Sequence, residues 1–474
     1  MISLSREDKF LMRRVWLLAF PAIVESLLVS MVQYVDTAMV GSLGPDATAA
    51  VAASTPVMWM LNSTVQAVAV GGTVTVAQAI GAGEHEKAKR VSGQAFFASC
   101  AISLFIFSFL MFLGHLIPVF MGTEPEIHES ATAYIRITAF GMPFQCFQMV
   151  FFGILRGAGD TGTPMKINIL INIVNVLGNF FMIFPSRTVS VLGVEFDMWG
   201  AGLGVEGAAW ATTGARVLAG VLLFGTMLKR TDVTLKLKGL RPEWKLMGEM
   251  LKIGIPTALE RLAISGGQTC FVRVVSSLGT VVLAAHQLAL TAESVSYMPA
   301  NGFQIAATTL TGNAVGAQRY KLARKSAAMT FKLCAVCTFC MSCVLFFGSR
   351  LLIGFFTPSE EVVDHGSLAL RIIAFAEIFY AMASIYTGAL RGAGDTKQPF
   401  YVCVMTMWGI RIPMAYVFVK VFGMGIAGAW IAMGLDLIIR GSMMMYRFYH
   451  GKWEEKHREK IERKNGKHLH DERD

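Results

Sequence analysis

The stretch Leu155-Arg156-Gly157-Ala158-Gly159-Asp160-Thr161 occurs a second time, 235 residues later, as Leu390-Arg391-Gly392-Ala393-Gly394-Asp395-Thr396. The same offset relates Pro21 to Pro256, Glu25 to Glu260, Gly81 to Gly316 and Arg136 to Arg371. A period of this length far exceeds the roughly 20 to 50 residues of a solenoid unit, so it marks a half-protein copied once. Whatever this chain folds into must consist of two similar bundles.

Composition says what those bundles face. The mean hydropathy is +0.53 and only 16% of residues are charged, against about a quarter in soluble domains. Lipid is the solvent for most of the chain. A spanning helix needs about 20 mainly apolar residues, and twelve runs qualify: 15–40, 49–80, 92–116, 134–155, 165–185, 204–228, 252–276, 282–315, 326–347, 370–390, 400–421 and 426–448. Six fall in each half, and an even number preserves orientation. The expected fold is an all-α polytopic membrane protein with twelve transmembrane helices in two six-helix bundles related by an internal parallel repeat. The divisions are an N-terminal lobe over 1–228, a cytoplasmic connector over 229–250, a C-terminal lobe over 251–448 and a charged tail over 449–474. The tail reads as a solvated segment without an apolar face.

The net charge of +10 is explained by position. Arg13, Arg14, Lys87, Lys89, Arg90, Arg156, Lys166, Lys229, Arg230, Lys236, Lys238, Arg319, Lys321, Arg391 and Lys397 lie on one set of loops, and only Arg187, Arg350 and Lys420 on the other. The positive-inside rule places both termini in the cytoplasm of a cell (inner or plasma) membrane. No nucleic-acid role is needed. The eight cysteines all lie inside apolar segments, so no disulfide framework is implied. Cys334, Cys337, Cys340 and Cys343 resemble an iron–sulfur spacing, but steps of three on a helix turn their sulfurs to different faces.

Ionisable side chains inside a span are costly and mark function. Glu25 and Asp36 lie eleven residues apart on the first helix, on nearly one face. Asn168, Asn172, Asn175 and Asn179 form a single stripe on the fifth. A carboxylate beside amide oxygens is a ligand set for a hard cation such as Na⁺, or a carboxylate that takes up H⁺. The alternative is hydrogen-bond glue between helices. The repeat provides a control: Asp36 becomes Phe271, and the four Asn become Cys403, Met407, Ile410 and Met414. The second half keeps the scaffold without the site.

In the second half, Arg411, Asp436 and Arg440 read as a neutralising structural network. Arg136 and Arg371, present in both copies, read as architectural. Glu260 and Glu377 have no cation on a matching face of their own helix and are candidates for substrate or proton contacts. The repeated Arg-Gly-Ala-Gly-Asp-Thr stretch itself reads as a tight turn, with glycine ending one helix and Asp or Thr capping the next.

Taken together, Val35-Asp36-Thr37 with Val40-Gly41, the paired Leu-Arg-Gly-Ala-Gly-Asp-Thr stretches, the Asn-rich fifth helix, Gly207-Ala208-Ala209-Trp210-Ala211-Thr212 and Gly425-Ile426-Ala427-Gly428-Ala429 resemble the multidrug and toxic compound extrusion (MATE) family. The resemblance covers Pro21 to about Arg440. It implies two six-helix lobes and export of amphipathic, organic cationic drugs in antiport with H⁺ or Na⁺ by alternating access. By that resemblance Asp36 looks like the coupling carboxylate and possible Na⁺ ligand, and Asn175 and Thr212 like its companions. Pro21 looks like the kink of the first helix, and Glu260 like the acid of the seventh. The sequence departs from the family at Asn179, often Asp, and at Tyr380, where some relatives have an acid; Glu377 lies one turn away. No cofactor beyond the coupling ion is expected, and nothing requires an oligomer, so a monomer is expected. A lipid-linked saccharide flippase is the alternative within transport. An intramembrane enzyme is disfavoured, as no His-Glu-x-x-His or Asp-rich metal motif is present.

Overall fold

Inside a bilayer the backbone must satisfy its own hydrogen bonds, and helices do so within each segment. The structure, a computed structural model, describes residues 6–191, 194–229, 232–235, 241–459 and 461–462. Of the loop cations, Arg230, Lys236 and Lys238 lie outside these residues, as does the tail from 463.

The first half contains α1 (Arg6–Gly41), α2 (Pro45–Gly81), α3 (His85–Leu113), α4 (His128–Gly157), α5 (Gly162–Ile183) and α6 (Gly204–Lys229). The second contains α7 (Trp244–Ser276), α8 (Thr280–Gly316), α9 (Tyr320–Phe347), α10 (Glu360–Ala374 continuing as Glu377–Gly392), α11 (Lys397–Val421) and α12 (Gly425–His450). Among the described residues nine of these are long and apolar enough to cross a membrane, and the two segments of α10 make a tenth span. The remaining two, α7 and α8, carry Lys252, Glu260, Arg261 and Arg273, and His286 and Glu293. Together these are the twelve transmembrane helices of the two repeats.

Three features were not anticipated. The tenth span is bent by 54°, and at its break Ser342 Oγ of α9 donates to the Ala374 carbonyl. The eleventh contains π-helical turns at Met407–Arg411 and Val417–Val421; Pro413 between them has no amide to donate. After α5 comes an antiparallel hairpin of β1 (Pro185–Val191) and β2 (Val194–Ala201), pairing Val189 with Phe196. The period-two alternation of Val189, Val191, Val194, Phe196 and Met198 is its sequence signal.

The repeated turn is built alike in both halves. Gly159 and Gly394 take left-handed φ angles of +86° and +85°, a conformation that costs glycine little. The amides of Asp160 and Asp395 close back on Leu155 O and Leu390 O at 2.8 and 2.9 Å. Asp160 then caps α5, its Oδ1 accepting from the Thr163 amide at 2.9 Å. One turn earlier, a Cβ on Gly157 or Gly392 would lie 2.4 Å from the carbonyl of Thr73 or Thr308, so α4 meets α2, and α10 meets α8, backbone to backbone.

The molecule divides into two compact units. One comprises Val24–Val76 and His85–Gly254; the other comprises Met1–Ile23, Ala77–Glu84 and Ile255–Asp474. In the first, Phe147 packs against Phe151 with ring centroids 4.4 Å apart. In the second, Phe271, His286 and Trp430 form a buried aromatic group. Large apolar side chains such as Phe112, Phe120, Phe347 and Phe355 are exposed, as expected where lipid replaces water.

The tail departs from the expectation of a solvated segment. Trp453 is 1% exposed, its Nε1 donates to Phe448 O at 2.7 Å, and its ring stacks on Phe448. His457 Nδ1 lies 3.0 Å from the Tyr320 hydroxyl, and Glu454 pairs with Arg324 at 2.9 Å. The mixed charges of 451–459 conceal one anchoring indole.

Candidate ion-coupling site

Three of the four asparagines of α5 bond to carboxylates of α1, and they serve two separate ones, while the Asn172 amide nitrogen finds no hydrogen-bond partner. At one end Asn179 Nδ2 donates to Asp36 Oδ1 at 2.6 Å. Asn175, with its nitrogen toward Asp36, donates to Oδ1 at 2.8 Å and accepts from the Thr212 hydroxyl at 3.2 Å. This orientation satisfies both atoms, whereas the reverse would set an amide oxygen against a carboxylate. Asp36, Asn175, Asn179 and Thr212 therefore form one cluster from α1, α5 and α6.

At the other end, eleven residues and about 16 Å along the helix, Glu25 Oε1 accepts from Arg156 Nη2 at 2.5 Å and from Asn168 Nδ2 at 2.7 Å. Gln148 in turn donates to Asn168 Oδ1 at 3.2 Å. Sequence reasoning grouped Glu25 with Asp36; the structure places it with the arginine of the repeated turn instead. One face of a helix is long enough to hold two sites.

The Asp36 cluster suits a small hard cation or a proton. Asn179 is buried, and its Oδ1 has no hydrogen-bond partner, leaving an acceptor beside a half-buried carboxylate. Carboxylate, amide and hydroxyl oxygens are the donor set that Na⁺ takes, and a protonated Asp36 would donate to the same oxygen. Sequence reasoning passed over Arg216, which lies one turn beyond Thr212 on α6 and interacts electrostatically with Asp36 and Tyr134. As the one charge in the middle of an apolar helix, it was visible in the sequence.

In the second half, Glu260 Oε2 accepts from Arg391 Nη2 at 2.8 Å, with both side chains buried. Arg391 comes from α10, which explains why inspection of α7 alone found no cation for Glu260. Glu377 accepts from Ser296 Oγ at 2.9 Å. Beside it, Tyr297 donates to Glu293, and the Tyr297 and Tyr380 rings lie 4.0 Å apart. Glu293 is fully buried and was not singled out from sequence. Asp436 is shared by Arg411 at 2.8 Å and Arg440 at 2.7 Å. At the position matching Asp36, Phe271 is buried with the Arg411 guanidinium 5.6 Å from its ring centre. Arg371 donates to Ser349 at 3.1 Å, Arg136 is exposed, and Pro21 lies inside α1.

Comparison with known proteins agrees with this construction. The MatE family model matches residues 21–181 and 256–417, one match in each repeat. A probable multidrug resistance protein NorM of Thermotoga maritima is 32% identical over 441 residues, which cover 93% of this chain and 92% of that protein. An uncharacterized transporter, YisQ, of Bacillus subtilis is 28% identical over 447 residues, covering 93% and 94%. A crystal structure of MATE in the bent conformation shares the fold, with a TM-score of 0.84 at 21% identity, over 96% of this chain and 100% of that one. With matches in both repeats and a relative of this identity spanning nearly the whole length, the chain belongs to the MatE family of multi-pass membrane transporters.

Proposed function

We propose that this transporter exports amphipathic, mainly cationic organic compounds by alternating access, driven by inward movement of H⁺ or Na⁺ through the Asp36 cluster. Its role is transport rather than catalysis, it acts as a monomer, and both termini lie in the cytoplasm of the cell membrane. The observation that carries the reading is the contrast between two carboxylates on one helix. Glu25 is engaged by an arginine, whereas the hydrogen bonds to Asp36 come from neutral amides beside an unpartnered amide oxygen. A carboxylate already bound to a guanidinium exchanges poorly with a mobile cation; one held by amides exchanges readily. The repeat adds support, since the half lacking this carboxylate also lacks the asparagines.

The test is efflux of a fluorescent organic cation from proteoliposomes under an imposed pH gradient and, separately, an imposed Na⁺ gradient. Wild type is expected to transport under at least one gradient, which names the ion. Asp36→Asn is expected to bind the dye and fail to move it under either. Normal gradient-driven transport by Asp36→Asn would remove Asp36 from coupling.

A further inference from the structure

Between Glu206 in its first turn and Lys229 in its last, α6 carries one charge, Arg216, four residues after Thr212. On a helix that spacing puts the two on one face with their Cβ atoms roughly 6 Å apart, and side chains lean back toward the helix N-terminus. Arg216 therefore reaches toward the turn at which Thr212 donates to Asn175 and Asn175 to Asp36. Gly141 of α4 makes room for it, since a Cβ there would lie 3.1 Å from Arg216 Cδ. The guanidinium interacts electrostatically with Tyr134 and Cys146 of α4 and with Asp36 of α1. Its Nη1 is buried with no hydrogen-bond partner among the described residues. All of these groups lie in one compact unit.

The repeat separates this arginine from the scaffold. Beyond the β1–β2 hairpin the offset falls from 235 to 221, pairing Gly207 with Gly428 and Gly220 with Gly441. Packing supports the register: a Cβ on Gly220 would meet Phe144 and one on Gly441 would meet Phe379, and those phenylalanines are themselves 235 residues apart. In this register Thr212 becomes Met433, Arg216 becomes Leu437, Tyr134 becomes Ala369 and Gly141 becomes Ala376. The half without Asp36 and the asparagines is also without the arginine and the glycine that admits it. A membrane-interior charge present only beside Asp36 points to the site.

We propose that Arg216, acting through Asp36, sets how tightly the cluster holds its cation: a fixed positive charge one turn from the site weakens the bound state enough for the ion to leave. The role in transport rests on the reading of Asp36 as the coupling group. A guanidinium stays protonated, so the ion-free site, with Asp36 ionised, sums to zero charge. An arriving cation raises that sum to one positive charge in a medium that solvates it poorly. At separations of a side-chain length and an intermediate effective dielectric, such repulsion weakens binding by about tenfold or more. Without it, a carboxylate in apolar surroundings keeps whatever cation neutralises it.

The test measures equilibrium binding of radioactive Na⁺ to the full chain in nanodiscs at alkaline pH, where few protons compete. Na⁺ serves as the probe whichever ion drives transport, because a fixed charge repels every cation alike. Arg216→Met, which removes the charge and keeps most of the length, is expected to half-saturate at about tenfold lower Na⁺ than wild type. Arg216→Gln should do the same, which keeps the question open to measurement if the methionine variant does not fold. Arg216→Lys, which keeps the charge, should bind as wild type does. Adding Asp36→Asn to Arg216→Met should abolish the gain. In proteoliposomes, maximal efflux by Arg216→Met should fall severalfold, since tighter binding is mainly slower release. Unchanged half-saturation, no Na⁺ bound by either neutral variant, a lysine variant that binds like methionine, or a gain that survives Asp36→Asn would each overturn the proposal. The binding readout does not depend on export: a shift as expected, together with normal gradient-driven transport by Asp36→Asn, would count against the coupling reading alone.

Discussion

Glu25 and Asp36 share a helix and nearly a face, yet their neighbours give them different chemistry. A carboxylate in the membrane interior survives when it is paired or hydrogen-bonded. Glu25 has a guanidinium at 2.5 Å, while Asp36 has amides from Asn175 and Asn179. The asparagine stripe was legible from its spacing, but its division into two sites was not, because the partner of Glu25 lies 131 residues away. The two ends should therefore respond differently to truncation. Asn179→Ala is expected to weaken coupling-ion affinity about tenfold, the equivalent of one lost ligand, measured as the ion concentration for half-maximal efflux. Asn168→Ala should leave that concentration unchanged and cost on the order of 1 kcal/mol in stability, as interhelical membrane hydrogen bonds do. Equal effects on ion affinity would merge the two ends into one site.

Among the elements, those whose pattern is local were readable. The helices followed from apolar length, and the repeated turn from its glycines and aspartate. The bend in α10 and the docked Trp453 each meet a group brought from elsewhere in the chain, Ser342 in one case and Tyr320 in the other. The sequence of either segment alone carries no sign of them. The hairpin of β1 and β2 was visible as alternation, but it stood beside a long apolar helix that drew the reading. The close crossings give a prediction of their own. Leucine at Gly157 or Gly392 must displace the carbonyl of Thr73 or Thr308. Each substitution should destabilise the protein by about 2 kcal/mol or more, seen as a lower melting temperature in detergent, while alanine at the half-buried helical position Gly225, where a Cβ meets nothing within 4 Å, should not.

For the whole molecule, the duplication was the most informative feature of the sequence, since it set both the number of bundles and their parallel relation. It did not indicate that the compact units would exchange segments, with Met1–Ile23 and Ala77–Glu84 packing among second-half residues. A tandem copy suggests two contiguous blocks, whereas α1, α2 and α7 each contribute residues to both units. The orientation from the positive-inside rule is testable at this scale. In a cysteine-free background, single cysteines at Lys87 and Lys321 should react with a membrane-impermeant maleimide only in inside-out vesicles, and cysteines at Arg350 and Lys420 only in intact cells. The reverse pattern would invert the topology and with it the direction assigned to the ion. The docked indole near the C-terminus also matters to anyone handling the protein. Because Trp453 and His457 belong to the folded body, a purification tag or fluorescent reporter substituted for the residues from 450 onward would remove part of the architecture.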